Sequence, residues 1–254
     1  MHQSFVSTTT HRGKTLFHGN CLDVLPLLKQ QGVKVNMILT DPPYGTTQCK
    51  WDTVIDLTEM WRCIEPVVYD NTPILLFSQQ PFTSILGHSN IKNLRYNWIW
   101  EKTHATGFLN ANRMPMKCHE EILVFYKKLP YYQPVKTSGH KRKVIKASHR
   151  EICYREDIYA DYSNFSDYDS TERYPRSVIR FKSDKQKSSL HPTQKPVELL
   201  EYFIKTYTRE GDVVLDFAMG SGSTGEACEN TGRKFIGIEI MEKIYNTAYD
   251  RLII

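Results

Sequence analysis

The chain has no apolar run approaching the roughly twenty residues that a membrane-crossing helix needs. A transmembrane segment is therefore not expected. Its six cysteines, at positions 21, 49, 63, 118, 153 and 228, include no Cys-x-x-Cys pair. That absence argues against a zinc ribbon or a disulfide framework and for reduced thiols in a cytoplasm. The opening MHQSFVSTTTHRGK is basic and polar with no apolar stretch behind it, so no secretory signal is expected. Cys118-His119-Glu120-Glu121 is unaccompanied by a second ligand pair at a useful spacing, and no metal is expected. A local signature for a Ser/His/Asp nucleophile is also missing, as are internal repeats and low-complexity tracts.

What remains is an ordinary globular balance, 40% hydrophobic and 24% charged over 254 residues. That length suits one domain, or one domain carrying a modest insertion. The net charge is +5. Between Pro130 and Leu190 there are 13 Lys/Arg against 8 Asp/Glu, a difference of +5, so the remainder of the chain is neutral. An excess confined to one stretch points to a polyanionic partner for it.

Up to about residue 130, short β-branched runs alternate with amphipathic ones. Val35–Leu39, Pro73–Ser78, Tyr96–Trp100 and Glu121–Tyr126 read as strands, and Leu22–Leu28, Leu57–Val68 and Phe82–Leu86 as helices. The rhythm resumes near Pro196. Helix Val197–Tyr207 is followed by strand Val213–Phe217, a Gly-rich turn, helix Thr224–Asn230, strand Phe235–Ile240 and a last helix. The alternation predicts an α/β fold, a doubly wound and mostly parallel sheet covered on both faces. Residues 130–189 break the pattern, hold 7 of the 15 tyrosines and carry charge in blocks, so they read as an insertion between 1–129 and 190–254.

Two constellations carry chemistry. Gly220-Ser221-Gly222-Ser223-Thr224-Gly225 follows one strand and opens a helix, and Glu239 ends the next strand 19 residues after Gly220. Glycines there admit a ligand to the backbone, and a strand-terminal acid suits a ribose diol. NAD and S-adenosylmethionine both present that ribose. Only 29 residues follow Gly225, too few for the second half-fold of a nicotinamide site.

The other constellation is Thr40-Asp41-Pro42-Pro43-Tyr44-Gly45, at the carboxyl end of a strand, where open α/β sheets place their sites. It suits methylation of an exocyclic amino group, whose lone pair is delocalised into the ring. The Asp41 carboxylate and the Pro42 carbonyl, accepting its two N–H groups, push the nitrogen toward tetrahedral geometry. Successive prolines hold that carbonyl in a fixed direction. Tyr44 can stack on a base that has left its helix.

Asp41-Pro42-Pro43-Tyr44 resembles the catalytic motif of amino-group DNA methyltransferases, the adenine-N6/cytosine-N4 family. Leu215–Gly222 resembles their cofactor motif, and His191-Pro192-Thr193-Gln194-Lys195-Pro196 the segment that flanks the methionine end of the cofactor. Catalytic motif first, target-recognition region in the middle and cofactor motif last is the order of the β class. The resemblance covers about 14–129 and 188–254.

It implies a Rossmann-like methyltransferase fold, S-adenosylmethionine as cofactor with S-adenosylhomocysteine as product, and double-stranded DNA as partner. It further implies that Asp216 and the Gly220-Ser221-Gly222 turn hold the methionine part and Glu239 the ribose, with Cys21, Asp41, Phe217 and Thr224 also at the cofactor. Thr193 and Lys195 would lie near the cofactor carboxylate. Asn20, beside Cys21, stands where the family often has an aspartate at the adenine. Phe217-Ala218 replaces the common Pro-Phe, displacing the aromatic by one position.

In this reading Lys141, Arg142, Lys143, Arg173, Arg176 and Arg180 neutralise DNA phosphates. Trp51-Asp52 belongs to a loop near the base, or packs at the surface, and His104 with Asn110–Arg113 forms a polar loop toward DNA. Asp at the first motif position favours adenine N6. Cytosine N4 stays the near alternative, with an RNA or protein-amide substrate behind it. The setting is bacterial or phage-infected cytoplasm. A homodimer is compatible with the sequence, which reveals neither oligomeric state nor target sequence.

Overall fold

The structure, a computed structural model, describes residues 7–45, 53–148, 166–182 and 194–254. They fall into two compact units, Met1–Gln133 with Ser177–Ile254, and Pro134–Arg176.

The larger unit begins with a hairpin, β1 (Ser7–His11) and β2 (Lys14–His18). Helix α1 (Cys21–Gln30) precedes β3 (Met37–Thr40), and α2 (Leu57–Ile64) precedes β4 (Ile74–Ser78). Helix α3 (Phe82–Ser89) leads into a long hairpin, β5 (Leu94–Thr106) and β6 (Lys117–Phe125). The smaller unit contributes β7 (Lys143–Ile145) and β8 (Tyr168–Ser170). Then follow β9 (Val178–Phe181), α4 (Val197–Tyr207), β10 (Val213–Asp216), α5 (Ser223–Asn230), β11 (Lys234–Glu239) and α6 (Glu242–Ile253).

The nine-stranded sheet runs β1-β2-β11-β10-β3-β4-β6-β5-β9. Pairs β2–β11, β11–β10, β10–β3, β3–β4 and β5–β9 are parallel, while β1–β2, β4–β6 and β6–β5 are antiparallel. The expected mostly parallel, doubly wound sheet is what forms. Alternate residues feed opposite faces, as a pleat requires. Met37, Leu39, Leu75 and Phe77 pack with Leu200, Phe203, Ala248 and Leu252 of the helices on one side. Ile38, Ile74 and Leu76 pack with Leu25, Leu28, Met60 and Ile64 on the other.

Three features differ from the sequence expectation. The β1–β2 hairpin has no place in it, because its turn is Arg12-Gly13, with both φ angles positive (43° and 79°), in place of the usual Asn-Gly. Strands β5 and β6 run past their apolar cores into the exposed segments 104–106 and 117–119, which carry no apolar alternation. The insertion expected at 130–189 also narrows at its second edge. Val178–Phe181 pairs with Ile99–Lys102 in the main sheet, and Ser177 O accepts from Ile99 N at 2.8 Å. Among the described residues, no helix is long and apolar enough to cross a membrane.

Helix α5 lies against β11 and α6 only because Gly225 has no side chain. A Cβ there would sit 2.5 Å from Leu252 Cδ1 and 2.9 Å from two ring carbons of the buried Phe235. Gly225→Ala should therefore destabilise the fold by about 1–3 kcal/mol through overpacking, read as a lowered urea midpoint at unchanged slope. A midpoint equal to wild type would show that the ring and Leu252 give way freely.

Candidate active site

Between β10 and β3 the winding of the sheet reverses. From β3 the chain crosses to β4 on one side, and from β10 to β11 on the other. The crevice at the carboxyl ends of such a strand pair is the site position of open α/β sheets. Here the two ends are tied together. Thr40 Oγ1 donates to Asp216 Oδ1 at 2.5 Å, Thr224 Oγ1 donates to Asp216 Oδ2 at 2.6 Å, and Ala218 N donates to Oδ1 at 3.1 Å. Asp216 is buried, and burial pushes its carboxyl up to about 6 against these three bonds.

On the β10 side the chain leaves Asp216 into the glycine turn. Gly220 has φ +54°, and a Cβ there would meet nothing within 4 Å, so the backbone is open to a ligand. Glu239, buried at the end of β11, orients this turn. Its Oε2 accepts from Gly220 N at 3.1 Å and its Oε1 from Met241 N at 2.8 Å. Burial raises the Glu239 carboxyl above its usual range. Asn20 caps α1, its Oδ1 accepting from Leu22 N at 3.0 Å, so part of its acceptor capacity is already engaged. The neighbouring Cys21 thiol is pushed up to about 12 by burial and stays protonated.

On the β3 side Asp41 carries two partners. The Tyr44 hydroxyl donates to its Oδ1, and Lys195 Nζ lies 2.6 Å from its Oδ2. The Tyr44 ring is turned inward, stacked on Phe82 with centroids 5.5 Å apart, and does not stand free to receive a base. Lys195 reaches Glu120 Oε2 as well, at 3.0 Å, and Glu120 Oε1 is paired with Lys102. The result is an alternating chain of charges, Asp41–Lys195–Glu120–Lys102. Burial lifts the Asp41 carboxyl above its usual range; Lys195 opposes the rise and Glu120 adds to it. Glu120 is also penalised by burial, but Lys195 and Lys102 outweigh that and hold it at about 2. Burial alone would discharge Lys195; the two carboxylates keep it firmly protonated.

Both sides open on one cleft of about 960 Å³, lined among others by Asn20, Cys21, Asp41, Tyr44, Glu120, Lys195, Phe217, Gly220 and Glu239. Of the residues singled out from sequence, Pro42, Pro43, Asp216, Ser221 and Thr224 line it too. Gly222 is not on its wall; its φ of +81° turns the chain into α5. Thr193 and Trp51-Asp52 lie outside the described residues.

Lys195 lines this cleft, and its ammonium is held by Asp41 and Glu120. Glu120 and Lys102 were missed. Glu120 stands in sequence just ahead of the Glu121–Tyr126 strand, and its spacing from Lys195 carries no signal. Gln194 was missed as well; it lines the cleft with a buried Oε1 that has no hydrogen-bond partner among the described residues.

In the smaller unit the expected DNA-facing cations divide. Arg142 is paired with Asp169, and Arg173 donates to the carbonyls of Ser170, Glu172 and Lys141. Lys141, Lys143 and Arg176 are exposed.

Fold and site together define a doubly wound α/β protein in which a glycine-rich, nucleoside-type turn shares its cleft with an Asp-Pro-Pro-Tyr motif. The DNA methylase family model matches residues 35–250, and the chain belongs to that N6/N4 family of DNA methyltransferases. It is 28% identical over 251 residues to the Type II methyltransferase M1.MboII of Moraxella bovis, spanning 90% of this chain and 92% of that one. To the DNA adenine methyltransferase YhdJ of Escherichia coli K12 it is 27% identical over 259 residues, 95% of this chain and 83% of that one. A crystal structure of M1.HpyAVI with SAM superposes with a TM-score of 0.64 at 26% identity, over 94% of this chain and all of that one. The cytosine-N4-specific PvuII DNA methyltransferase, at 13% identity and a TM-score of 0.65, shares the fold.

The Asp216 tie has a pH signature. Its folded carboxyl, at about 6 against 3.8 for an ordinary aspartate, binds its proton more tightly than the unfolded chain does. Its contribution to stability is therefore full below about pH 4 and is lost as the pH rises through about 6. Relative to Asp216→Asn, wild type should lose on the order of 1–3 kcal/mol of unfolding free energy between pH 4 and pH 7. A difference that stays flat across that range, measured by urea unfolding, would refute the raised value.

Proposed function

We propose that the protein transfers a methyl group from S-adenosylmethionine to N6 of adenine in double-stranded DNA, acting on a base turned out of the helix. The single observation that carries this reading is the shared cleft. An amino-group acceptor motif and a nucleoside-type turn open on the same space, at the upper end of ordinary ligand-site volumes.

The described residues fit the cofactor. Glu239 offers carboxylate lone pairs to a diol from a fixed direction. Gln194 Oε1 is a buried acceptor with no hydrogen-bond partner among the described residues, and suits a donor such as an amino-acid ammonium. Phe217, Ile240, Met241 and Ile244 supply an apolar wall for an adenine ring. When bound, the cofactor supplies an electrophilic methyl group on a sulfonium.

The chain's own residues handle the amine. Asp41 Oδ1 exchanges the Tyr44 hydroxyl for an N–H of the amino group, and the Pro42 carbonyl accepts the other N–H. That exchange frees Tyr44 to turn from Phe82 toward the base. Lys195, 2.6 Å from Asp41 Oδ2, opposes the proton uptake that burial favours at this acceptor carboxylate. Glu120 and Lys102 balance the charge behind it. Transfer is direct, with no covalent link to the chain: the N–C bond forms as the S–C bond breaks, leaving S-adenosylhomocysteine, and the amine's surplus proton passes to the Asp41 carboxylate.

Two observations support adenine over cytosine. The motif begins with Asp, and the E. coli relative along 95% of this chain is named for adenine, while the cytosine-N4 structure shares only the fold.

Incubation with labelled S-adenosylmethionine and genomic duplex DNA, followed by nucleoside digestion, should yield N6-methyladenine. N4-methylcytosine in its place would transfer the reading to cytosine, and no labelled nucleoside would refute it. Asp41→Ala should lower transfer by at least about 10³-fold while cofactor affinity, measured calorimetrically, changes by less than about threefold. Substantial residual transfer would mean that the carboxylate is not the acceptor.

A further inference from the structure

The β5–β6 hairpin ends in an apolar tip that the reading above does not use. Every residue from His104 to His119 is exposed. Within that segment Phe108 is 76% exposed, Leu109 96% and Met114 51%. Monomeric proteins seldom display large apolar side chains clustered in this way without a partner.

The tip is a built structure. Gly107 turns the chain at φ +89° into a 3-10 turn, Phe108–Asn110. Asn110 N donates to Gly107 O, Ala111 N to Phe108 O, and Arg113 N and Met114 N to Asn110 O, all at 2.8–3.0 Å. Lower down, Lys117 Nζ donates to Gln79 Oε1 at 3.0 Å and braces the hairpin against the main sheet.

Its placement follows from the register. β6 is antiparallel to β4, with Glu121 opposite Ser78 at the carboxyl end of β4. Residues 117–119 therefore project beyond the carboxyl ends of the parallel strands, with β5 residues 101–106 beside them. That is the end of the sheet where Asp41 lies. Two hairpin residues, His104 and Thr106, line the same cleft as Asp41. Phe108 follows Thr106 by two residues, a backbone reach of at most about 7 Å.

We propose that this tip is a wedge that enters duplex DNA beside the target base and holds the base step open while the base occupies the cleft. The inference rests on the DNA-methylating reading of that cleft and adds the element that opens the helix for it. Apolar side chains such as Phe, Leu and Met are what proteins insert between base steps, because they replace stacking without needing hydrogen bonds. Charge agrees with a nucleic-acid occupant: from Thr103 to His119 the chain carries Arg113 and Lys117 and no acid. Continuity agrees too, since the hairpin forms part of the cleft wall.

The test first maps the methylated positions left by wild type on genomic DNA, then places that site in two duplexes. One is fully paired; in the other the target base faces an abasic position and is already loosened. For Phe108→Ala/Leu109→Ala, single-turnover methylation of the paired duplex should fall about 10- to 100-fold, and that of the abasic-partner duplex less than about threefold. Cofactor affinity and thermal midpoint should match wild type. Equal loss on both duplexes, or no loss on either, overturns the wedge. So does a change of sedimentation coefficient in the variant, which would mark the tip as a contact between copies of the chain. If wild type itself methylates no base in any DNA, the functional reading fails first and the wedge falls with it.

Discussion

The hydrogen bonds of Asp216 to Thr40 and Thr224 hold the site together. Where a doubly wound sheet reverses its winding, the chain departs from two adjacent strand ends in opposite directions, and no connection bridges the crevice. One buried carboxylate ties the end of β3 to the end of β10 and to the first turn of α5. Because Asp41 follows Thr40 directly, and Gly220 lies four residues beyond Asp216, this tie also sets the acceptor motif against the glycine turn. It has an energetic cost: burial raises the carboxyl, and three donors only partly offset it.

The second dependence is electrostatic. Asp41 sits in a partly closed, low-dielectric space, where an isolated carboxylate would take up a proton. Lys195 supplies the opposing charge, but a buried ammonium is itself costly, and Glu120 and Lys102 complete a chain in which each ion touches only opposite charge. Its members come from the end of β3, the approach to α4, and the paired strands β5 and β6. The hairpin that closes this chain at its base is the one that carries exposed apolar residues at its tip. Ion holding and, in the proposal above, helix opening thus belong to one hairpin.

Much of the fold was legible because its signals are local. Alternating strand and helix patterns located β3, β4, α4, β10, α5 and β11 to within about two residues, since buried parallel strands are short apolar runs and the helices repeat every three to four residues. Val178–Phe181 was illegible because a four-residue strand is recognised by its neighbour, here Ile99–Lys102, and the neighbour lies about eighty residues away. The β1–β2 hairpin was hidden by a turn whose residues, Arg12 and Gly13, are not the usual pair. Lys195 stood out in its motif, but its contacts did not. Opposite charges advertise themselves along a helix at spacings of three or four, never across 75 residues as between Glu120 and Lys195.

What the sequence by itself determined is the chemistry on offer. A carboxylate and a proline-held carbonyl stand at one strand end, a glycine turn with a distal acid follows another, and a basic segment lies between them. Those are short motifs whose meaning depends on neighbours a few residues away. What only the tertiary structure decided is which groups act together. Asp216 is spent on joining strands, Lys195 is turned onto Asp41, Glu120 and Lys102 stand behind it, and part of the basic segment's charge is cancelled by its own acids. The reason is that burial and ion pairing act over a few ångströms in space, and chain folding, not chain order, sets those distances.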